Sequence, residues 1–136
     1  MNNNKQTIKE IKIVLEKMAE SFAEKDIEKY LKLYAEESNI VIYGSQEGEK
    51  WTEVSEYKKS VLKDWKLTEK MNVHYNWLKL ECSNDVGWVA SDISFEVFVG
   101  NQIMNIPGRF TAVLIKEKNQ WKFAQTHFSM VMANPD

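Results

Sequence analysis

The sequence predicts an α+β domain in which three N-terminal helices pack on one face of a curved antiparallel sheet. Three observations carry this. Apolar residues recur at helical spacing through the first half of the chain. Alternating, β-branched and aromatic stretches fill the second half. The length of 136 residues suits one domain with one core and leaves little room for a second. The order reads helix, helix, strand, helix and then four long strands, a single domain over 1–136 with a core of about 7–132.

Thr7 followed by Glu10 forms a capping-box pattern, and Ile8, Ile11, Leu15, Met18 and Phe22 then recur at helical spacing, which predicts a helix over about 7–24. Asp26 can cap a shorter second helix whose stripe is Ile27, Tyr30, Leu31 and Tyr34. Ile40 to Tyr43 make a short strand stopped by Gly44, and SQEGEKW reads as loop with Gly48 as its flexible point. Thr52 can cap a third helix with Val54, Tyr57, Val61, Leu62 and Trp65 on one face, ending near 66–69.

The strands follow as MNVHYNWLKLECS, VGWVASDISFEVFVG, QIMNIPGRFTAVLIKE and WKFAQTHFSMVM. Pro107-Gly108 predicts a bulge or bend just before Arg109. The last two strands form a hairpin closed by the polar turn EKNQ.

Hydrophobic content of 43% and charged content of 28% are ordinary for a soluble globular protein. A net charge of −2 gives no general electrostatic reason to bind nucleic acid or an anionic membrane. Lone Cys82 forms no internal disulfide, the N-terminal MNNNKQ is polar, and no run of about 18 apolar residues occurs, so the expectation is a cytoplasmic protein without a membrane span. Two separated histidines without an HxH or HExxH pattern, and five scattered glycines, predict neither a metal site nor a phosphate loop, and no cofactor. The acidic run Glu47, Glu49, Glu53 and Glu56 reads as a solvated loop and helix start.

The closing hairpin holds the rarest polar residues. Against 17 lysines the chain carries one arginine, Arg109, and its second histidine, His127, lies on the last strand. Alternation puts Trp121, Phe123, Gln125, His127 and Ser129 on one face, and Arg109, Thr111, Val113 and Ile115 on one face of the preceding strand. If the two faces coincide, Arg109, Thr111, His127 and Ser129 form a polar patch able to bind a carboxylate or enolate and to supply a group titrating near neutrality. The alternative is structural hydrogen bonding or a dimer interface. A sheet that curls around helices leaves a pocket at its mouth, walled by residues such as Tyr34, Trp51, Trp65 and Trp88. Further titratable candidates are His74, Asp92 and Asp64.

Four passages resemble a known group: Asp26 with IEKYLKLYAEE, GSQEGEKW, DVGWVASD and RFTAVLIKEKNQWKFAQTHFS. Together, over about 7–130, they are similar to the SnoaL-like group of the ketosteroid isomerase and nuclear transport factor superfamily. The resemblance implies a cone-shaped, cystatin-like α+β barrel entered from its open end, and a homodimer formed through the outer sheet face. Laid on this sequence, the isomerase's general-base position falls on Ile42 and its oxyanion tyrosine on Met18. Neither can exchange a proton, so that isomerase chemistry is not implied here.

Three readings stay open. The first is a domain binding a small apolar molecule in an aromatic pocket, as a homodimer. The second is a lyase, cyclase or isomerase on a hydrophobic carbonyl compound, with His127 as acid or base and Arg109 as anion partner. The third is an association module without catalysis. A cavity receiving His127 and a second titratable group favours the enzyme, a cavity without that pair favours binding, and a filled cone favours association.

Overall fold

The structure, a computed structural model, describes residues 4–132, so the outermost residues of the 1–136 domain lie outside the described ones. Its elements are α1 (Asn4–Glu24), α2 (Ile27–Leu31), β1 (Val41–Tyr43), β2 (Lys50–Trp51), α3 (Val54–Lys66), β3 (Lys70–Ser83), β4 (Val86–Val99), β5 (Gln102–Glu117) and β6 (Gln120–Met130). The strands form one six-stranded sheet in the order β2-β1-β6-β5-β4-β3, antiparallel except where β1 runs parallel to β6. The α+β class and the element order are as the sequence predicts, with one addition. Lys50–Trp51, read as loop, pairs with β1 as a two-residue strand.

Helix α1 buries Ile11, Val14, Leu15, Met18 and Phe22, the 3.6-residue stripe of its sequence. Against it lie the inward residues of the sheet, among them Val89, Ile93, Phe95, Phe110 and Leu114. Gly87 on β4 lets the helix approach, because a Cβ there would meet Ile11 Cδ1 at 2.4 Å. Trp121 Nε1 donates to Glu10 Oε1 at 3.1 Å and Tyr75 Oη to the Leu15 carbonyl at 2.8 Å, fixing α1 to β6 and to the edge strand β3. Ile42 and Met18, aligned with the isomerase's catalytic pair, are both fully buried core.

Helix α1 stops at Lys25, whose φ of 54° is left-handed, and Asp26 N–H reaches back to the Ser21 carbonyl at 3.0 Å. Glycine usually fills such a place. Here the Lys25 ammonium donates to the Trp65 carbonyl at 2.7 Å and to the Thr68 carbonyl, capping the end of α3. Asp26 caps α2 by accepting from Lys29 N–H at 3.1 Å.

Three local expectations are corrected. Thr7 and Glu10 lie inside a helix already begun at Asn4. Glu53, not Thr52, is the N-cap of α3, and its side chain makes no capping bond. No bulge occurs at Pro107-Gly108, where the register with β4 runs unbroken through Ser94↔Pro107 and Ile93↔Gly108. Gly108 serves another purpose: a Cβ there would meet the Ser129 carbonyl oxygen at 2.6 Å. The bulges fall elsewhere, at Asn76 between the Tyr75 and Trp77 pairs of β3, and at Ala124 of β6, between the pairs Leu114↔Phe123 and Val113↔Gln125.

Candidate functional site

The bulge at Ala124 decides which side chains of β6 enter the core. Before it, Trp121 and Phe123 point inward; after it, Thr126 and Phe128 do, and all four are buried. His127 is thereby turned to the outer face. This corrects the expectation that Phe123 and His127 share a face, since one extra residue reverses a period of two. On that outer face Thr111 pairs with His127 and Arg109 with Ser129, so the four polar residues do come together. The Tyr43 ring stands 5.4 Å from the His127 ring, and Asp92 pairs with Arg109 from β4. Trp88 and Trp77 project from the same face, 45% and 53% exposed. His74 is there too, 3.5 Å from Glu96.

The inner face holds a different site. A cavity of about 160 Å³ opens at the mouth of the sheet, between α1, the β1–β2 hairpin, α3 and the strand ends. Its aromatic wall is Phe22, Trp51, Tyr57, Trp65, Phe95 and Phe128. Phe22 and Trp65 ring centroids are 5.4 Å apart, and those of Trp51 and Tyr57 5.0 Å, so the wall is built of packed ring pairs. Its polar part is Ser45, Glu49, Ser60 and Asp64.

Local sequence explains how these groups arrive. Tyr57, Val61 and Trp65 are the buried stripe of α3, and Ser60 and Asp64, one position earlier on successive turns, sit at its edge. Glu49 returns from the β1–β2 turn, where Gly48 takes φ 81° and Gly44 N–H donates to the Glu49 carbonyl at 2.8 Å. Its carboxylate accepts the Gln46 N–H at 2.9 Å, and its Oε1 lies where a Cβ on Gly44 would come within 2.5 Å. Burial of its inner side pushes the Asp64 carboxyl above the usual carboxylate range; the negative charge of Glu49 adds to this and Lys63 opposes it.

Behind the cavity runs a chain of buried hydroxyls. Tyr57 Oη lies 2.8 Å from Tyr30 Oη, Tyr30 Oη 3.0 Å from Tyr34 Oη, and Tyr34 Oη 2.9 Å from Thr126 Oγ1. Burial raises all three phenols, that of Tyr34 to about 12, and Tyr30 and Tyr57 well above the ordinary tyrosine value, so the chain is neutral at physiological pH. The same bulge that turns His127 outward supplies its last member, Thr126.

Of the residues singled out by sequence, Trp51, Trp65 and Asp64 border the cavity. Tyr34 lies behind it in the hydroxyl chain, fully buried. Arg109, Thr111, Trp88, His127 and Ser129 are on the outer face. The sequence alone suggests solvated loop for Glu49 and only a helix stripe for Tyr57. The signal for Glu49 was its position one residue after the Gly48 turn, which folds it back over the mouth. Among the described residues no group of three His, Cys, Asp or Glu could hold a metal ion, and no helix is long and apolar enough to cross a membrane.

Solved structures share the whole architecture. A candidate dehydratase of the NTF2-like family from Streptomyces avermitilis superposes with a TM-score of 0.83 at 14% identity, covering 95% of this chain and 99% of that one. An NTF2-like protein of unknown function from Pseudomonas putida gives 0.83 at 17% identity, over 95% and 89%. A nuclear transport factor 2-like superfamily protein from Salmonella enterica gives 0.82 at 13% identity, over 96% and 95%. At these identities the likeness establishes the fold alone. No curated protein is matched at a significant level. Residues 11–133 match the sequence model of the SnoaL-like domain, nearly the whole chain, and the protein belongs to that family.

Proposed function

We propose that the protein binds a small, largely apolar molecule in the cavity at the mouth of the sheet. The observation that carries this is an open cavity of about 160 Å³ walled by six aromatic side chains and rimmed by a few polar ones, the usual composition of a small-molecule site. The volume sets the scale of the ligand, since a cavity of about 150 Å³ lined by apolar side chains accepts benzene. A single ring with a short substituent fits. Titration with benzyl alcohol, followed by the indole N–H signals of Trp51 and Trp65, is expected to saturate. Val61→Trp, which fills the cavity, is expected to abolish the response while the melting transition persists; unchanged binding in that variant would place the ligand elsewhere.

One observation favours a second reading, catalysis on a hydrophobic carbonyl compound. The raised carboxyl of Asp64 at the cavity mouth can hold and release a proton closer to neutrality than an ordinary aspartate. In that reading Asp64, rather than the outward His127, is the acid or base, and Asp64→Asn loses turnover of any substrate found.

We also propose a homodimer through the outer sheet face. Exposed Tyr43, Trp77 and Trp88 give it apolar area, and Arg109 beside Asp92 gives it both signs of charge, which suits a patch meeting a copy of itself about a two-fold axis. A monomeric mass by light scattering at micromolar concentration would sink this proposal.

A further inference from the structure

The charge of the cavity wall points to the class of ligand. Two carboxylates, Glu49 and Asp64, border the cavity, and none of its lining residues is lysine, arginine or histidine. The chain as a whole carries 18 lysines and arginines against 20 acids, and the cavity takes its charge from the acids alone. The two acids come from separate elements, the β1–β2 hairpin and α3. Glu49 is held in place by the Gln46 N–H rather than by a lysine. No ion pair joins either carboxylate to a cation among the described residues. Lys63, next to Asp64 in sequence, acts on it only at a distance.

Beside these carboxylates stand Trp51, Tyr57 and Trp65. Aromatic faces carry negative charge and attract cations, tryptophan most strongly. An anion would meet two like charges and no cationic donor, only the neutral O–H and N–H groups of the lining. A cation meets two opposite charges at the rim and π-faces beneath them. We infer that the cavity selects a small organic cation, an amine carrying one apolar ring, with the ring among the aromatics and the ammonium at the Glu49–Asp64 rim. This rests on the cavity being the binding site.

Three matched single-ring probes test it by isothermal titration at pH 7: benzylamine, benzyl alcohol and benzoate. Benzylamine is expected to bind about tenfold or more tighter than benzyl alcohol, and benzoate more weakly than either. In Asp64→Asn and Glu49→Gln the ratio of benzylamine to benzyl alcohol affinity is expected to fall toward one, and adding salt to weaken benzylamine alone. Equal binding of benzylamine and benzyl alcohol, or preference for benzoate, overturns the cation selectivity and leaves the cavity as a binding site. Failure of all three probes to bind, in a protein whose thermal transition is intact, overturns both.

Discussion

Tyr30 is fully buried and its hydroxyl stands between two others, those of Tyr34 and Tyr57. A buried hydroxyl is tolerated when it is hydrogen-bonded and costly when it is not. Tyr30→Phe keeps the ring and its edge contact with Phe22 at 4.9 Å, but removes the hydroxyl that stands 2.8 Å from that of Tyr57. The expected loss is about 1–3 kcal/mol of stability, read from urea unfolding midpoints at unchanged slope. Asp64 behaves in the opposite sense. Its carboxyl is raised in the folded state, so folding favours its protonated form. The stability it contributes is present below the unfolded carboxyl value and is lost as pH rises through the raised folded value. Asp64→Asn should therefore melt higher than the parent near neutrality, with the difference vanishing on acidification toward pH ~3.9. Because the outer side of Asp64 stays in water, the gap is expected to remain below about 1 kcal/mol.

At the scale of elements, the β5–β6 hairpin shows what sequence can and cannot say. Its strands and turn were legible because alternation and a polar break are local signals. The bulge was not. Ala124 is an ordinary small residue, and nothing in WKFAQTHFSM marks which residue lacks a partner until the pairing with β5 is known. Reading the strand as regular put His127 inside and Thr126 outside, the reverse of the structure. The Pro107-Gly108 expectation failed for a related reason: proline and glycine suggest irregularity, but here glycine answers a close approach of the Ser129 carbonyl within a regular ladder. The turn itself yields a prediction. Lys118 and Asn119 both take left-handed φ, 50° and 63°, between the paired Glu117 and Gln120, the geometry of a two-residue type I′ turn. Asn followed by Gly suits it better than Lys followed by Asn. The double change Lys118→Asn, Asn119→Gly is expected to stabilise by about 0.5–1 kcal/mol, because left-handed backbone costs an ordinary side chain more than that and glycine gives part of the gain back as freedom of the unfolded chain, despite losing the exposed Lys118–Glu37 pair at 2.9 Å, since such pairs contribute little. Thermal melts of the two proteins check it; no gain, or a loss, refutes the turn assignment.

For the whole molecule, the sheet separates two sets of residues that the sequence could not assign to sides. The inner face gathers Tyr34, Tyr57 and Thr126 behind a cavity rimmed by Glu49 and Asp64. The outer face gathers Tyr43, Trp77, Trp88, Arg109 and His127. The fold class was legible because helix and strand periods differ and each persists over many residues. Which face a rare residue occupies depends on two bulges and on the hairpin of β1 and β2, and those depend on long-range pairing. This separation makes the two proposals independent, and a charge introduced on the outer face distinguishes them. Trp88→Lys places a lysine at an exposed position whose β4 neighbours Gly87 and Val89 stay buried, so the fold should be retained. If the outer face joins two copies, this change buries a lysine in the interface twice, once from each copy, and removes a large aromatic anchor, and the mass by light scattering should fall to that of one chain. Benzyl alcohol affinity should not change, because Trp88 does not border the cavity. A variant that remains dimeric would remove this face as the interface. A monomer with lost ligand affinity would instead mean that the cavity needs the second copy for its shape.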